Sequence, residues 1–280
     1  MPSDPTKQVA VLIIVYQNRL TDLEKISLQQ CLKVLKNYPI RLVKPASLDL
    51  SDWPSDAAAV PSESFPDKYF KDIGAYSRLL ISREFYKRFI QFEYILIYQL
   101  DAFVFKDNLH EWCSKGYDYI GAPWFENFSN DQPDASLVGV GNGGFSLRRV
   151  KAHLKVLHSF SYLNPPKENW KSRMKAKPRG IKWLSEAAGF FLDLWWRNNT
   201  FWLLNSFRGF EDQFWSLIVP RNFKWFRLAG IQEAIDFSIE MQPRRVYAMN
   251  SYQLPFGCHA WWKYDFAFWR PHIKACGYEL

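Results

Sequence analysis

Two mostly apolar runs constrain the fold of this chain more than any other feature. Val9–Tyr16 is continuous and rich in β-branched residues, and Tyr94–Asp101 is apolar apart from Gln99 and the carboxylate that ends it. Runs that are continuous rather than alternating are typical of strands covered on both faces. Helical patterns follow the first run and precede the second, the latter over residues 74–90. The sequence therefore predicts an α/β fold with a mostly parallel central sheet flanked by helices.

Short sequence patterns predict a helix start and a loop in the segments that follow the first strand. Thr21 and Glu24 form a capping-box pattern, which predicts a helix start directly after a short loop. The stretch Pro45–Asp67 is rich in Pro, Ser and Asp without periodicity, and predicts a surface loop. Because ligands of parallel sheets bind beyond the carboxyl ends of the strands, chemistry is expected in the loop Tyr16–Arg19 and at Gln99–Asp101.

The charge balance indicates possible partners but does not choose among them. There are 36 Lys and Arg against 28 Asp and Glu, a net charge of +8, and 48% of residues are apolar, which excludes a disordered chain. Residues 167–182 alone carry seven basic residues and one Glu, or +6. A solvated loop is the first interpretation of that segment, and docking on anionic lipid headgroups is the alternative. The aromatic tract that follows, up to residue 204, has polar interruptions that argue against a transmembrane helix.

The four cysteines, Cys31, Cys113, Cys258 and Cys276, are widely spaced and fit no zinc motif. Together with an opening apolar run too short to span a bilayer and without a cleavage site, they favour a reduced protein. We expect a cytoplasmic location, with peripheral contact at the inner face of the membrane through residues 167–182 as an option.

Several ordered motifs resemble those of glycosyltransferases with the GT-A fold. They cover residues 9–262 and are, in order, Val9–Leu23, Gly74–Leu80, Ile97–Phe105, Asn142–Arg148, Glu211–Asp212 and Gly257–His259. They resemble the first strand with its nucleotide-binding loop, an Arg-containing helix, the D-x-D strand, the N-G-G-F segment, the x-E-D motif and a late metal-binding histidine. More narrowly, the segments at 141–148, 211–212, 237–240 and 255–261 resemble an uncharacterised bacterial family of glycosyltransferase-like proteins.

The resemblance implies a divalent cation, Mn²⁺ or Mg²⁺, held by Asp101 and His259. One departure weakens this expectation, because the first D-x-D position is Gln99, an amide, and only Asp101 can contribute negative charge. Without the other motifs, the preferred interpretation of Asp101 is a turn or cap residue, and that of His259 is a packed core residue among aromatic rings.

The resemblance also assigns a base. Asp212, with Glu211 beside it, would take the proton of the acceptor hydroxyl, and direct displacement would invert the configuration at the sugar carbon. The alternative interpretation is that both carboxylates favour a helix N-terminus through the helix dipole. Trp124 and Glu240 are the residues expected to contact the acceptor sugar.

The donor is expected to contact three parts of the chain. The polar loop Tyr16, Gln17, Asn18 and Arg19 would meet the base and ribose. Arg78 of the helix motif and Lys71 just before it would meet the diphosphate, and Gln99 lies in the D-x-D strand motif. Guanidinium groups such as that of Arg78 bind phosphate oxygens bidentately, although a solvated helix face would also carry them. Asn142, Gly143 and Gly144 permit close approach of the backbone to a sugar, and a β-bulge would use the glycines equally.

The function that the resemblance implies is that of a hexosyltransferase, which moves a sugar from a nucleotide-diphosphate sugar to a saccharide or lipid-linked acceptor in polysaccharide biosynthesis. A UDP-sugar is the expected donor. We expect one GT-A-like unit over residues 1–280, with a donor-binding half at 9–105 and an acceptor-binding half at 106–280 that contains the basic and aromatic segment 165–207. A catalytically idle carbohydrate-binding or docking protein is the alternative. A basic nucleic-acid-binding module is a third alternative. We expect no nucleic acid as a partner, because such a module would leave the acidic motifs without a role.

Overall fold

The computed structural model of this chain describes residues 8–126, 134–160, 162 and 165–280. The strands are β1 (Val9–Ile14), β2 (Ile40–Pro45), β3 (Ser62–Phe65), β4 (Tyr94–Gln99), β5 (Phe103–Val104), β6 (Tyr119–Ile120), β7 (Pro123–Phe125), β8 (Leu137–Val140), β9 (Phe145–Arg149), β10 (Ser238–Ile239) and β11 (Gly257–Cys258). The α-helices are α1 (Asp22–Val34), α2 (Ser55–Ala58), α3 (Ile73–Leu80), α4 (Arg83–Arg88), α5 (Leu109–Ser114), α6 (Val150–His158), α7 (Pro166–Met174), α8 (Ile181–Leu192), α9 (Thr200–Ser206), α10 (Glu211–Gln213), α11 (Val219–Asn222), α12 (Ile231–Phe237), α13 (Pro243–Met249) and α14 (Phe266–Ala275). A 3₁₀ turn at Asp67–Phe70 and π-helical turns at Asp193–Arg197 and Phe214–Ile218 complete them.

The central sheet has six strands in the order β3-β2-β1-β4-β9-β6. β1 pairs in parallel with β2 and β4, and β2 with β3, whereas β9 runs antiparallel to both β4 and β6. The predicted mostly parallel sheet with flanking helices is therefore confirmed. A second sheet of three short strands has the order β10-β11-β5, and β7 pairs with β8.

Burial explains why the first run is continuous. All six residues of β1 are buried. Val11 packs in a cluster with Leu28 of α1 on one face of the sheet, and Leu12 packs with Leu79 of α3 on the other. A strand between two helical layers has no solvent face, and each fully buried aliphatic side chain contributes about 1.5–3 kcal/mol.

The predicted capping box at the start of α1 is confirmed. The Thr21 hydroxyl accepts a bond from the Glu24 backbone N–H, and the Glu24 carboxylate accepts one from the Thr21 backbone N–H. The helical pattern over residues 74–90 is two helices, because Ser82 interrupts it and its hydroxyl caps α4 through the Phe85 N–H.

Two expectations about loops are wrong. Pro45–Asp67 contains α2 and the edge strand β3. β3 is a strand because it pairs with β2, and its sequence has no apolar pattern that would predict it. The basic segment 167–182 is also not a loop, since α7 and the start of α8 lie within it. Pro166 at the first position of α7 favours a helix start there.

Candidate functional site

The sheet topology brings distant residues to one edge. β1 and β4 are parallel, so their carboxyl ends lie side by side, with Tyr16 after β1 and Asp101 after β4. β9 is antiparallel to β4, so the loop before β9 reaches the same edge, and the Gln99 N–H donates to the Gly144 carbonyl at 2.8 Å. The second sheet brings His259 to the same edge, because β11 pairs with β5 and so places His259 beside the end of β4.

His259 is the centre of this group. Its Nε2 lies 2.9 Å from Asp101 Oδ1 and 3.2 Å from Gln99 Oε1, and its Nδ1 lies 3.1 Å from Glu240 Oε1. The side chain is 11% exposed, and both of its nitrogens lie within hydrogen-bond distance of protein oxygens. The two carboxylates therefore face opposite edges of one imidazole.

The charges of this group decide its protonation. Burial acts to lower the pKa of His259, but the facing carboxylates of Asp101 and Glu240 outweigh burial and raise that pKa to about 10. Burial acts to raise the pKa of Asp101, and the imidazole of His259 reverses this and leaves it below its usual value. The two facing carboxylates thus favour the protonated form of the imidazole.

A divalent cation was expected at Asp101 and His259, and the donor atoms can be tested against that expectation. Asp101 Oδ1 is buried and accepts no hydrogen bond of good geometry, although His259 Nε2 is only 2.9 Å away. A nitrogen and an oxygen this close, without a well-formed hydrogen bond between them, suit shared coordination of an ion. Among the described residues, no group of three or more His, Cys, Asp or Glu is placed to hold a metal. The pair therefore fits a cation only as a partial site that needs further oxygen ligands.

The loop Asn142–Gly144 wraps around the histidine. Asn142 is buried with a φ of +66°, and its side-chain amide donates to the Glu240 carboxylate while its Oδ1 accepts from the Gly144 N–H at 3.2 Å. A Cβ on Gly144 would lie 2.0 Å from His259 Nε2, and a Cβ on Gly143 would lie 1.8 Å from Glu211 Oε1. Both glycines are therefore required by close packing, which a β-bulge alone would not demand.

Asp212 lies at the same loop. Its carboxylate accepts the Gln213 N–H at 2.8 Å and is stabilised by the Gly143 backbone N–H. Burial, followed by repulsion from Glu240, raises its pKa above the usual aspartate value despite these bonds. The structure thus places Asp212 beside the group that contains Asp101 and His259.

Glu211, the neighbour of Asp212, has a different environment. Its two oxygens accept from Arg148 Nη1 at 2.8 Å and Nη2 at 2.7 Å, and neither side chain is more than 5% exposed. Arg148 also bonds the Ser146 hydroxyl and the Gly143 carbonyl. Glu211 is therefore engaged in a bidentate ion pair that fixes the loop, and its carboxylate is turned away from solvent.

A pocket of about 370 Å³ opens beside this group, between the end of β1 and the start of α3. Tyr16, Lys71, Tyr76 and Gln99 line it, and three of these are expected donor-binding residues. Tyr76 was not expected, and its buried hydroxyl lies beside Gln99. An amide at position 99 can accept from His259 and donate to Tyr76, which a carboxylate could not do.

Other expected residues lie elsewhere. Arg78 is exposed and lines a separate groove with Phe201 and Phe207. Gln17 donates to Glu24 Oε1 at 2.8 Å, so it supports the start of α1, while Asn18 and Arg19 are exposed. The structure does not bring these residues to the His259 group.

Trp124, an expected acceptor contact, is 4% exposed. It lies on β7 against Gly141, where an added Cβ would be 1.8 Å from the indole ring. The ring thus has little surface left for a sugar. Glu240, the other expected acceptor contact, bridges His259 and Asn142 instead.

Sequence reasoning did not single out Arg148 as a site residue. The available signal was an arginine at the end of an apolar strand pattern, Phe145–Arg148, where it shares a face with Ser146. A buried guanidinium needs a buried carboxylate as its partner, and Glu211 supplies it.

Comparisons with solved structures give several distant similarities. A glycosyltransferase involved in the glycosylation of the major capsid of PBCV-1 has 10% identity and a TM-score of 0.45, with 95% of this chain and 99% of that chain covered. The galactosyltransferase LgtC, in complex with donor and acceptor sugar analogs, has 9% identity and a TM-score of 0.49, with 95% and 94% covered. The mannosyltransferase Ktr4p from S. cerevisiae has 15% identity and a TM-score of 0.36, with 69% and 65% covered. Similarity at this level identifies neither the reaction nor a ligand of this chain.

Sequence comparisons give one family. No curated protein is significantly similar to the chain. The family model described as "Protein of unknown function (DUF5672)" matches residues 59–259, which is more than half of the 280 residues. The chain therefore belongs to the DUF5672 family.

Proposed function

We propose that this protein is a glycosyltransferase of GT-A type, which moves a sugar from a nucleotide-diphosphate donor to a hydroxyl group of a saccharide or glycolipid acceptor. One observation carries the proposal: Asp101, Asp212 and His259, separated by up to 158 positions, lie around one glycine loop at the carboxyl edge of the sheet. This is where open α/β sheets bind their ligands.

The pocket beside β1 supports a donor site. Lys71 supplies a positive charge at its rim and Tyr16 an exposed ring, suited respectively to a diphosphate and to a base. In this proposal the donor is a UDP-sugar, with the nucleotide in the pocket and the sugar toward Asn142–Gly144. The backbone of these residues can approach a sugar closely because Gly143 and Gly144 carry no side chain.

The proposed cation, Mn²⁺ or Mg²⁺, would be held by Asp101 and His259, with donor phosphate oxygens completing its coordination. When bound, it would supply positive charge that stabilises the leaving diphosphate. Coordination needs the neutral imidazole, so the ion would replace the proton on Nε2 that Asp101 now faces.

Asp212 is the proposed base. The acceptor oxygen attacks the anomeric carbon, its proton passes to the Asp212 carboxylate, and the bond from that carbon to the diphosphate oxygen breaks. A single displacement of this kind inverts the configuration. The raised pKa of Asp212 makes its carboxylate a better proton acceptor than an ordinary aspartate. Glu211 and Arg148 hold the loop and take no part in the proton transfer.

The test combines donor binding with transfer. Thermal shift with UDP, GDP and their sugars, with and without Mn²⁺, identifies the nucleotide, since a ligand of the native state raises its stability. With that donor, we expect Asp212→Asn to reduce transfer by about 10³-fold or more and to leave nucleotide affinity within about threefold. Asp236→Asn, at another half-buried aspartate outside the site, is the matched control and should keep full activity.

The pH profile gives a second readout. Because the pKa of Asp212 is raised, kcat/KM should fall on the acid side at a pH above the usual aspartate value of 3.8, as the carboxylate takes up its proton. Equal transfer by Asp212→Asn would remove this residue from the base role. Nucleotide binding without transfer to any acceptor would favour the idle carbohydrate-binding protein, and absence of nucleotide binding would overturn the donor site.

A further inference from the structure

The segment 165–210 has an inverted distribution of polar and apolar residues. Its helices α7 and α8 contain no buried residue, and the only buried residues between 165 and 210 are Asn198, Asn199 and Thr200. These three are polar. In a helical segment that packs on a core, the apolar residues are the buried ones.

Large apolar side chains are exposed instead. Over the segment, the side chains at least 40% exposed are Ile181, Trp183, Leu184, Phe191, Leu192, Trp195, Trp196, Phe201, Trp202 and Phe210. Trp195 and Trp196 are 76% and 71% exposed, and they follow each other in the π-helical turn after α8, within the segment Pro166–Ser206 that is called the hairpin below. Large apolar side chains that are exposed together in one segment mark an interaction surface.

The hairpin is nevertheless built by specific contacts. Arg173 of α7 pairs with Glu186 of α8 at 3.0 Å and with Asp193, and the rings of Trp170 and Phe190 meet at 5.1 Å. Two of the segment's three acidic side chains, Glu186 and Asp193, take part in these contacts. The exposed aromatic residues are therefore presented by an ordered pair of helices.

Charge indicates what covers this surface. Residues 165–210 contain nine Lys and Arg against three Asp and Glu, which leaves +6. The turn between α7 and α8 holds Lys175, Lys177 and Arg179, all exposed. Two copies of such a surface repel each other, whereas anionic headgroups attract it, and Trp rings favour the boundary between headgroups and acyl chains.

We propose that the hairpin Pro166–Ser206 is a membrane-docking element that inserts its aromatic residues into the interface of an anionic lipid bilayer. It lies on the bilayer and does not cross it, because no helix in the described part of the chain is long and apolar enough to span. This inference is independent of the proposed glycosyl transfer, since it concerns binding to lipid alone.

Co-sedimentation with lipid vesicles tests it, with phosphatidylcholine alone and with about one third phosphatidylglycerol. We expect binding to the anionic vesicles that weakens as salt is raised, and little binding to phosphatidylcholine. Trp195→Ser with Trp196→Ser should lower the partition coefficient at least about tenfold. Tyr252→Ser, at a 68% exposed ring outside the hairpin, is the matched control and should bind as the unchanged chain does.

Charge-reversal variants distinguish an effect of the hairpin's own charges from an effect of the net charge of the protein. Lys175→Glu with Lys177→Glu should weaken binding by at least about thirtyfold, since each basic residue near an anionic surface contributes roughly a factor of five. Lys87→Glu with Lys274→Glu changes the net charge equally at exposed positions elsewhere and should weaken it much less. Circular dichroism confirms that each variant folds.

Three results would overturn the proposal. They are no binding of the unchanged chain to anionic vesicles, equal loss in the hairpin and control variants, or self-association that disappears in the Trp195→Ser, Trp196→Ser variant while vesicle binding is absent. The last would assign the surface to a second copy of the chain.

Discussion

At the residue scale, the loop Asn142–Gly144 is where backbone geometry limits the choice of side chains most. Asn142 occupies a left-handed conformation that asparagine tolerates better than most residues, and its amide contacts Glu240. Gly144 leaves room for the imidazole of His259. The position of the histidine therefore depends on an absent side chain as much as on the ones present.

Gly144→Ala should displace His259, because the new Cβ would meet Nε2 at 2.0 Å. We expect a loss of transfer of at least about 10²-fold and a lower melting temperature, since a small displacement of a site residue costs that much in rate. The control is Gly139→Ala, whose Cβ would meet the Trp124 ring at an ordinary 3.8 Å. Kinetics and thermal unfolding measure both, and unchanged activity of Gly144→Ala would contradict the packing argument.

Part of this site could be predicted from the resemblance to GT-A glycosyltransferases. The order of the motifs singled out Asp101, Asp212 and His259, and the structure places them together. The contact between Glu240 and His259 could not be predicted, because it depends on pairing between β10 and β11, which are two residues each. Strands so short leave no periodic pattern in a sequence.

At the scale of elements, the ion pair between Arg148 and Glu211 joins the sheet to the helix that carries Asp212. Arg148 lies on β9 and Glu211 begins α10, so this contact sets how α10 meets the sheet. A three-residue helix has little stability of its own. Its position therefore depends on contacts such as this one.

Removing one partner of this pair should destabilise the fold strongly. We expect Arg148→Met or Glu211→Gln each to cost about 3–5 kcal/mol in unfolding free energy, because an uncompensated buried group remains. The double variant should cost less than the sum of the two. Arg88→Ala breaks the exposed pair with Glu63 and should cost at most about 1 kcal/mol. Urea unfolding measures all four, and a small loss in both single variants would show that the pair contributes little.

The sequence predicts best those strands that are buried along their length, because a buried strand has a recognisably apolar composition. β1 and β4 are buried along nearly all of their length, so their composition indicates their place. The edge strand β3 has one buried residue of four, and only its pairing with β2 makes it a strand. The sequence does not predict α7 and the start of α8 for the opposite reason, since the seven basic residues of 167–182 favour a solvated loop.

At the scale of the whole molecule, stability should be unevenly distributed. β1 is buried throughout and paired on both sides, whereas α8 has no buried residue. Backbone hydrogen bonds exposed to water open at low free-energy cost, and those in a packed sheet open only with the whole fold.

Amide hydrogen exchange should separate the two regions. In the absence of lipid, amides of α8 should exchange with opening free energies well below the global unfolding value, while those of β1 and β4 should approach it. Exchange followed by peptide mass spectrometry measures this. Residues of α6, a helix that packs in the core, are the internal comparison. Equal protection of α6 and α8 would show that the hairpin is held by contacts beyond those described.

The pairing of β5 with β11 has a consequence for how the chain acquires its site. Phe103 lies opposite Cys258, so a contact between partners 155 positions apart sets His259 beside Asp101. Closing a loop of that length is entropically costly and is rewarded late. We therefore expect the contact between His259 and Asp101, and with it the proposed transfer activity, to return last during refolding, after the native circular dichroism of the parallel sheet and its helices.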